Sequence, residues 1–377
     1  MGIYEELVLA EKPYMEAVWE KIDKKMRLVA QRNYNKLPYS AENGVYKDLA
    51  QSCPHGWTNG FWPGIMWLMY VGTKEELYKD VAIRAEELLE KAAEDFDVLH
   101  HDVGFMWHIS SGVHYRLLGD KKAKSRAMYM AASLASRYNL NTKAIRAFPN
   151  EDRERKVIID SMMNIPLLYW ASREAKDPRF SLIAQSHADT SIQNHVREDG
   201  SVKHILEYDL YTGECLGEVK GQGIGVGGSW TRGQAWAIYG FTLSYIHTGR
   251  QEYLDTAKKV AHYFIANVSG TDYVVPYDFR QAPDCTDGDT SAAAITACGL
   301  IELAKVVPEN EKALYLKPAI KLVKVLVEQF CNWNPQEDGI LQGGAVSAKS
   351  LNVAIIFGEY YFVEAIYKLI GMEPLFW

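Results

Sequence analysis

One carboxylate stands inside an otherwise apolar stretch. It is Asp160, in Ile158-Ile159-Asp160-Ser161-Met162-Met163-Asn164, and Ile-Pro-Leu-Leu-Tyr-Trp-Ala follows it. A carboxyl group in such a setting must be paired, protonated or functional, because burying it ionised is costly. Burial raises its pKa and a second carboxylate nearby raises it further. A carboxyl held protonated near neutral pH in this way can serve as a general acid. The competing role is a helix N-cap, and the residues alone leave both open. A second candidate is Asp102, in His100-His101-Asp102-Val103-Gly104-Phe105, which opens another apolar run. Its ordinary role would be a cap or first-turn carboxylate. The adjacent histidines lack the His-x-x-x-His spacing and a third ligand, so no metal site is expected.

Two further clusters could meet a ligand. Trp57-Thr58-Asn59-Gly60-Phe61-Trp62-Pro63-Gly64 places Trp57 and Phe61 among glycines just before a buried helix, as a sugar platform or a hydrophobic plug. Gln222 begins a glycine-rich run that ends in Ser229-Trp230-Thr231-Arg232-Gly233-Gln234-Ala235-Trp236. The run lacks the Gly-Lys-Ser/Thr ending and the preceding strand of a phosphate loop. Trp230, Arg232 and Trp236 could hold an anion against an aromatic wall, with the guanidinium pairing bidentately with a carboxylate. His204 lies on a short β-like run; a lone histidine is more often a surface residue.

The elements that must position these residues are helices. Residues 74–93, 121–138, 178–195, 251–267 and 312–331 carry apolar residues at spacings of three and four. The segments 60–71, 103–118, 158–172, 232–247 and 290–305 lack a polar face and should be buried all round. An apolar helix, a short turn and an amphipathic helix recur in that order. Gly72, Gly119 and Gly249 at the turns suit a left-handed C-cap, and Thr, Asp or Ser suits the next N-cap. With an N-terminal hairpin and a closing helix over 352–370, about six hairpins fit. This predicts an all-α (α/α)₆ barrel formed as a single domain over 1–377, with an open solenoid as the alternative. Residues 201–209 and 272–279 read as short β-hairpins on the active-site rim.

Composition narrows the class. The chain has 377 residues, 48% hydrophobic, with 10 Trp and 23 Tyr, an aromatic load that suits core packing and a sugar-lined site alike. Net charge is −7 and no basic block stands out, so nucleic acid is not an expected partner. Cys53, Cys215, Cys285, Cys298 and Cys331 are odd in number, widely spaced and without Cys-x-x-Cys, which argues against a disulfide framework and a zinc site. The N-terminus has no signal-peptide core and no apolar run is long enough to span a membrane. A cytoplasmic enzyme is expected, a monomer or weak homo-oligomer.

At these residues the chain resembles the unsaturated glucuronyl hydrolases, glycoside hydrolase family 88. The resemblance rests on WTNGFWPG, LHHDVGF, IIDSMMNIPLLYWA, SWTRGQAWAIYGF, DTSAAAITACGLIELA and IFGEYYFVEA, in order from residue 57 to about 366. It implies an (α/α)₆ barrel without a cofactor, acting on oligosaccharides that carry a 4,5-unsaturated uronic acid at the non-reducing end. It implies Asp160 as the acid/base that hydrates the vinyl ether and Asp102 as a second essential carboxylate. His204 and Gln222 would lie near the uronate and the water. Arg232 and Trp236 would hold its carboxylate and stack on it, and Trp57 and Phe61 would form the aromatic wall. Three departures surround the second-sugar subsite: Phe148 where the family commonly has Trp, Ile-Gly-Val-Gly-Gly after Gly223, and Ala354 in place of a Tyr. Ser347, Lys349 and Ser350 are candidates for contacting a sulfate. The rival readings are an unsaturated rhamnogalacturonyl hydrolase acting on pectin fragments, a sugar epimerase on the same toroid, and a non-catalytic helical scaffold.

Overall fold

A computed structural model describes residues 2–149, 155–374 and 376–377. Helices α1 (Ile3–Arg32), α2 (Phe61–Thr73), α3 (Glu76–Leu89), α4 (Val103–His108), α5 (Ser111–Leu118) and α6 (Lys121–Ser136) come first. Then follow α7 (Pro166–Ala175), α8 (Pro178–Asn194), α9 (Thr231–Thr248), α10 (Gln251–Ser269), α11 (Thr290–Val306), α12 (Lys312–Val325) and α13 (Ile356–Leu369). Helices α9, α11 and α13 are buried along almost their whole length, whereas α3 and α10 each bury one face. That contrast sorts the elements into two layers. The inner ring is α2, α4–α5, α7, α9, α11 and α13, and each position touches the next until α13 returns to α2. The outer ring is α1, α3, α6, α8, α10 and α12. The chain is an (α/α)₆ barrel.

The ring closes differently from the sequence expectation. The N-terminus is one 30-residue helix, α1, and not a hairpin. It packs on α13, so the first and last helices make the sixth pair. The apolar segment 103–118 is broken at Ser110, whose φ of −105° and ψ of −100° end α4 and start α5. Gly119 and Gly249 are left-handed C-caps, and Asp120 caps α6 by accepting from Ala123 N. Gly72 is not a cap. It lies within α2, and Lys74 takes the left-handed conformation instead. A Cβ on Gly72 would lie 2.3 Å from the Trp19 ring, so this glycine lets α1 approach α2.

Short antiparallel strands decorate the connections. Hairpins β1 (Pro38–Glu42) with β2 (Val45–Asp48), and β3 (Tyr138–Asn139) with β4 (Ala144–Ile145), were not legible in the sequence. A three-stranded sheet joins β5 (Lys156–Ile158), β6 (Ile205–Tyr208) and β7 (Cys215–Val219), with β6 in the centre. The expected strand at 201–209 is β6. The one at 272–279 is an irregular loop with isolated bridges, Pro276 to Gly288 and Asp278 to Trp230. Tyr273 within it has φ of +67°, incompatible with a strand. Among the described residues no helix is long and apolar enough to cross a membrane.

Candidate active site

The connections that enter the inner helices surround a cavity of about 400 Å³. Asp160, Asp102, His204, Gln222, Trp230, Arg232, Trp57 and Phe148 all line it. Sequence separations of up to 175 residues are thus brought to one mouth of the barrel.

Asp160 follows β5 in a 3-10 turn, Ile159–Met163, that leads into α7. The N-cap of that turn is Ile158 and no side chain caps it, so Asp160 is not a helix cap. Two contacts fix the turn. Ile159 N donates to His204 O at 3.1 Å, and Met162 packs against Gly240 of α9. A Cβ on Gly240 would approach Met162 Cβ to 2.5 Å, so only glycine allows this fit. The Asp160 Oδ1 atom is buried without a hydrogen-bond partner among the described residues. Burial first, then the charge of Asp102, pushes the Asp160 carboxyl up to about 7; Arg232 opposes this in part.

Asp102 has the opposite character. It occupies the N-cap position of α4 but makes no capping bond. Its Oδ2 lies 3.2 Å from both His100 Nδ1 and His101 Nε2, and its Oδ1 accepts from Asn164 Nδ2 at 3.0 Å. Burial would raise its pKa, but His101 and the bonds from both histidines outweigh burial and hold it well below the usual carboxylate range. The pair therefore divides into an anion and a carboxyl that still holds a proton up to about pH 7. Asn164 couples them: besides Asp102 it donates to Asp160 O at 3.2 Å, and its Oδ1 accepts from Phe105 N at 2.7 Å.

His204 faces Asp160, with Nε2 3.7 Å from Oδ1. Its Nδ1 accepts from Gln222 N at 2.8 Å, so the proton resides on Nε2. Burial, with Arg232 adding to it, lowers its pKa to about 3. It is a neutral ring presenting an N–H, and the Trp230 ring lies against it, tilted by 41° with centroids 4.3 Å apart.

Arg232 enters the cavity from the first turn of α9 and is 1% exposed. The bidentate role foreseen for it is partly taken by the protein itself. Its Nη1 pairs with Asp289 and donates to Ala345 O at 2.6 Å, and its Nη2 donates to Gln222 Oε1 at 3.1 Å. Tyr277 donates to the same oxygen at 3.2 Å. The guanidinium lies over Trp230 at 4.5 Å and Phe357 at 5.1 Å. Aromatic faces and a counter-ion thus hold a buried cation in place.

Two candidates sit elsewhere. Phe61 and Trp236 are both fully buried and do not line the cavity. Phe61 supports Trp57 from behind, ring to ring at 5.9 Å, and packs on Phe105, Phe357, Tyr360 and Tyr361. Trp236 lies beneath the floor, where its indole draws the Asp160 pKa down without a hydrogen bond of normal geometry. Both project from the inner faces of helices, where a ring is core. Trp57 precedes its helix and forms the wall. Ser347, Lys349 and Ser350 form a tight turn, bridged Ser347 to Ser350, and do not line the cavity.

Sequence reasoning missed Asn164, Asp289, Tyr277, Lys156 and Lys220. Asp289 had a signal, since Asp-Thr-Ser before an apolar run is a capping pattern; it does cap α11 through Ser291 N, and also neutralises Arg232. Among the described residues no group of three or more His, Cys, Asp or Glu is placed to hold a metal ion.

No protein-family model matches the chain. It is 35% identical over 324 residues to an unsaturated glucuronyl hydrolase of Bacillus sp. (strain GL1), covering 83% of this chain and 86% of that one. It is 33% identical over 350 residues to an unsaturated chondroitin disaccharide hydrolase of Streptococcus agalactiae, covering 89% and 86%. Among solved structures, an unsaturated glucuronyl hydrolase of Streptococcus agalactiae superposes with a TM-score of 0.90 at 30% identity, over 97% of this chain and 94% of that one. One specific for heparin superposes with a TM-score of 0.84 at 29% identity, over 95% and 97%.

Proposed function

The chain belongs to the unsaturated glucuronyl hydrolases, and from that premise we propose how its residues carry out the reaction. The protein is a glycoside hydrolase. It removes a 4,5-unsaturated uronic acid from the non-reducing end of oligosaccharides of the kind polysaccharide lyases produce, by hydrating the C4=C5 double bond. That reading holds over a rhamnogalacturonyl hydrolase of the same fold.

The observation that carries the mechanism is the division of the two carboxyls. Asp160, its pKa raised to about 7, keeps a proton far above the ordinary carboxylate range and faces the cavity. It delivers its proton to C4 of the vinyl ether, and the positive charge that develops is shared between C5 and the ring oxygen. Asp102 stays ionised and favours that charge. It is no nucleophile, because both its oxygens are occupied by His100, His101 and Asn164. Water then adds at C5 and gives its proton back to Asp160. His204 cannot be that base: its free nitrogen already carries the proton, so it donates instead, to the water or to the uronate carboxylate. The C5 hemiketal opens as the C5–ring-oxygen bond breaks. The ring oxygen becomes a hydroxyl on C1, and C1 collapses to an aldehyde as the second sugar departs as an alcohol.

The remaining residues serve binding. Trp57 and Trp230 supply apolar faces for the ring, and Gln222 has only its NH₂ left to offer, since its carbonyl oxygen already accepts from Arg232 and Tyr277. Arg232, paired with Asp289, is the guanidinium on the cavity wall that can meet the uronate carboxylate. We assign no cofactor, and take 1–377 as one catalytic domain, monomeric or weakly self-associating. The five free cysteines suit the reducing cytoplasm.

The test is to incubate the protein with unsaturated disaccharides from chondroitin, hyaluronan and heparin, with a pectin-derived one for comparison, and follow the alkene absorbance. Loss of the band for the glucuronides is expected. An unchanged band with all of them would refute the assignment.

A further inference from the structure

The cavity carries two cations that the reaction at the uronate does not use. Lys156 on β5 and Lys220 just after β7 both line it. The sheet register explains the position of Lys156. Lys156 and Ile158 share a face of β5, and Ile158 pairs with Ile205, which pairs with Val219. Ile158, Ile205, Val219, Phe148 and Ala147 form a small apolar patch on that face. Lys156 stands two residues farther from Asp160 than Ile158 does, about 7 Å along an antiparallel strand, or roughly one sugar ring outward. Lys220 follows Val219, which is level with Ile158, so it stands nearer to Asp160 and Gln222 than Lys156 does, and the two lysines mark two depths of the same wall. The following loop, Gly223 to Gly228, contains no polar side chain. A Cβ on Gly225 would touch Lys220 at 3.8 Å, so the bare loop lies beside this lysine.

Among the described residues, this wall of the cavity carries two positive charges without a counter-ion. Arg232 is paired with Asp289, and Asp102 stays an anion held by His100, His101 and Asn164. Neither lysine has an ion pair among the described residues; Glu207, across the strand from Lys156, makes none with it. The chain is acidic overall, at −7, so this is a local field opposite in sign to the molecule's. A volume of about 400 Å³ also holds more than one sugar ring.

We infer that Lys156 and Lys220 form the leaving-sugar side of the cavity and select substrates whose second sugar carries an anionic group, a sulfate or a carboxylate. The inference rests on the glycosidase reading above and adds the charge of the leaving sugar to it.

The experiment compares kcat/KM for unsaturated disaccharides differing only in the second sugar: neutral, O-sulfated, or a uronate. Wild type should favour at least one anionic form over the neutral one. Exposed charge contacts predict that Lys156→Ala with Lys220→Ala lowers the anionic-to-neutral ratio by about 10-fold. The paired Lys→Arg variants should restore it, and 0.5 M NaCl should shrink it, as roughly 4 Å of screening length at that salt implies. Lys349→Ala should leave the ratio where it is. A wild type indifferent to leaving-sugar charge, a double variant that lowers all substrates equally, or a ratio lost in Lys349→Ala would each overturn the inference while leaving the hydrolase reading intact. Failure to consume even the neutral disaccharide would instead strike the hydrolase reading.

Discussion

Replacing Asp160 with Asn should make the protein more stable while abolishing its reaction. A buried acid with its pKa near 7 stands some 3 above an unfolded aspartate near 3.9. Below pH 4 both states are protonated and the residue contributes nothing. Between pH 4 and 7 the unfolded chain releases the proton and the native state keeps it, so stability falls as pH rises. Above pH 7 the penalty is full. At about 1.4 kcal/mol per pH unit it comes to about 4 kcal/mol. The Asp160 side chain is 19% exposed to the cavity, and solvent there reduces the figure to about 3 kcal/mol. Asn keeps the shape and carries no charge, so it should recover that amount at pH 8 and little at pH 4. With an unfolding entropy of roughly 0.8 kcal/mol/K for a chain of this length, the melting temperature should rise on the order of 4 °C. Paired thermal or urea denaturation of both proteins at pH 4, 6 and 8 measures the difference, and the alkene assay should show about a 10³-fold loss of rate. A variant less stable than wild type at pH 8, or a difference that does not grow between pH 4 and 8, would refute the assigned burial and protonation.

Other outcomes follow from the same geometry. Asp102→Asn removes the charge that helps keep Asp160 protonated, so the alkaline limb of kcat/KM should move from near pH 7 toward 6; an unmoved limb would show that burial alone sets the pKa. His204 should remain neutral with its proton on Nε2 from pH 5 to 8, and a ring that titrates in that range by NMR would exclude it as a fixed donor. Asn164→Ala removes three hydrogen bonds within the site and should cost roughly 3 kcal/mol in denaturant melts. Little change in stability would mean that Asn164 does not hold the two acidic segments together.

The layers were legible because they depend on local pattern. Amphipathic spacing gave the outer helices within a few residues, and uniform apolarity gave the inner ones. Asp160 and Asp102 were singled out as carboxylates in apolar runs, a property visible in each segment alone. What escaped was non-local. That α1 pairs with α13 depends on ring closure, which no window of sequence contains. Arg232 was expected to hold the uronate carboxylate; that Asp289, 57 residues later, takes part of its guanidinium depends on how α9 and α11 lie side by side. Phe61 and Trp236 were placed on the wall because an aromatic ring in an apolar stretch has no mark of depth. Gly72 has a cap's composition, and the packing of Trp19 against it lies outside its local sequence.

Closure of the ring by its two ends also orders events during synthesis. Helix α1 emerges first, yet its partner α13 is made last, and buried Lys25 of α1 donates to Gly339 O, 314 residues away. Until then the nascent protein is an open arc with the apolar flanks of α2 and α11 uncovered. Local hairpins can form in turn as they emerge, but joining the arc's ends pays a large loop-closure entropy and buries the Lys25 ammonium in one late step. The same step assembles the cavity wall, because Phe357 of α13 packs under Trp57 and Arg232. Folding and acquisition of activity should therefore end together, with ring closure as the final and slowest event.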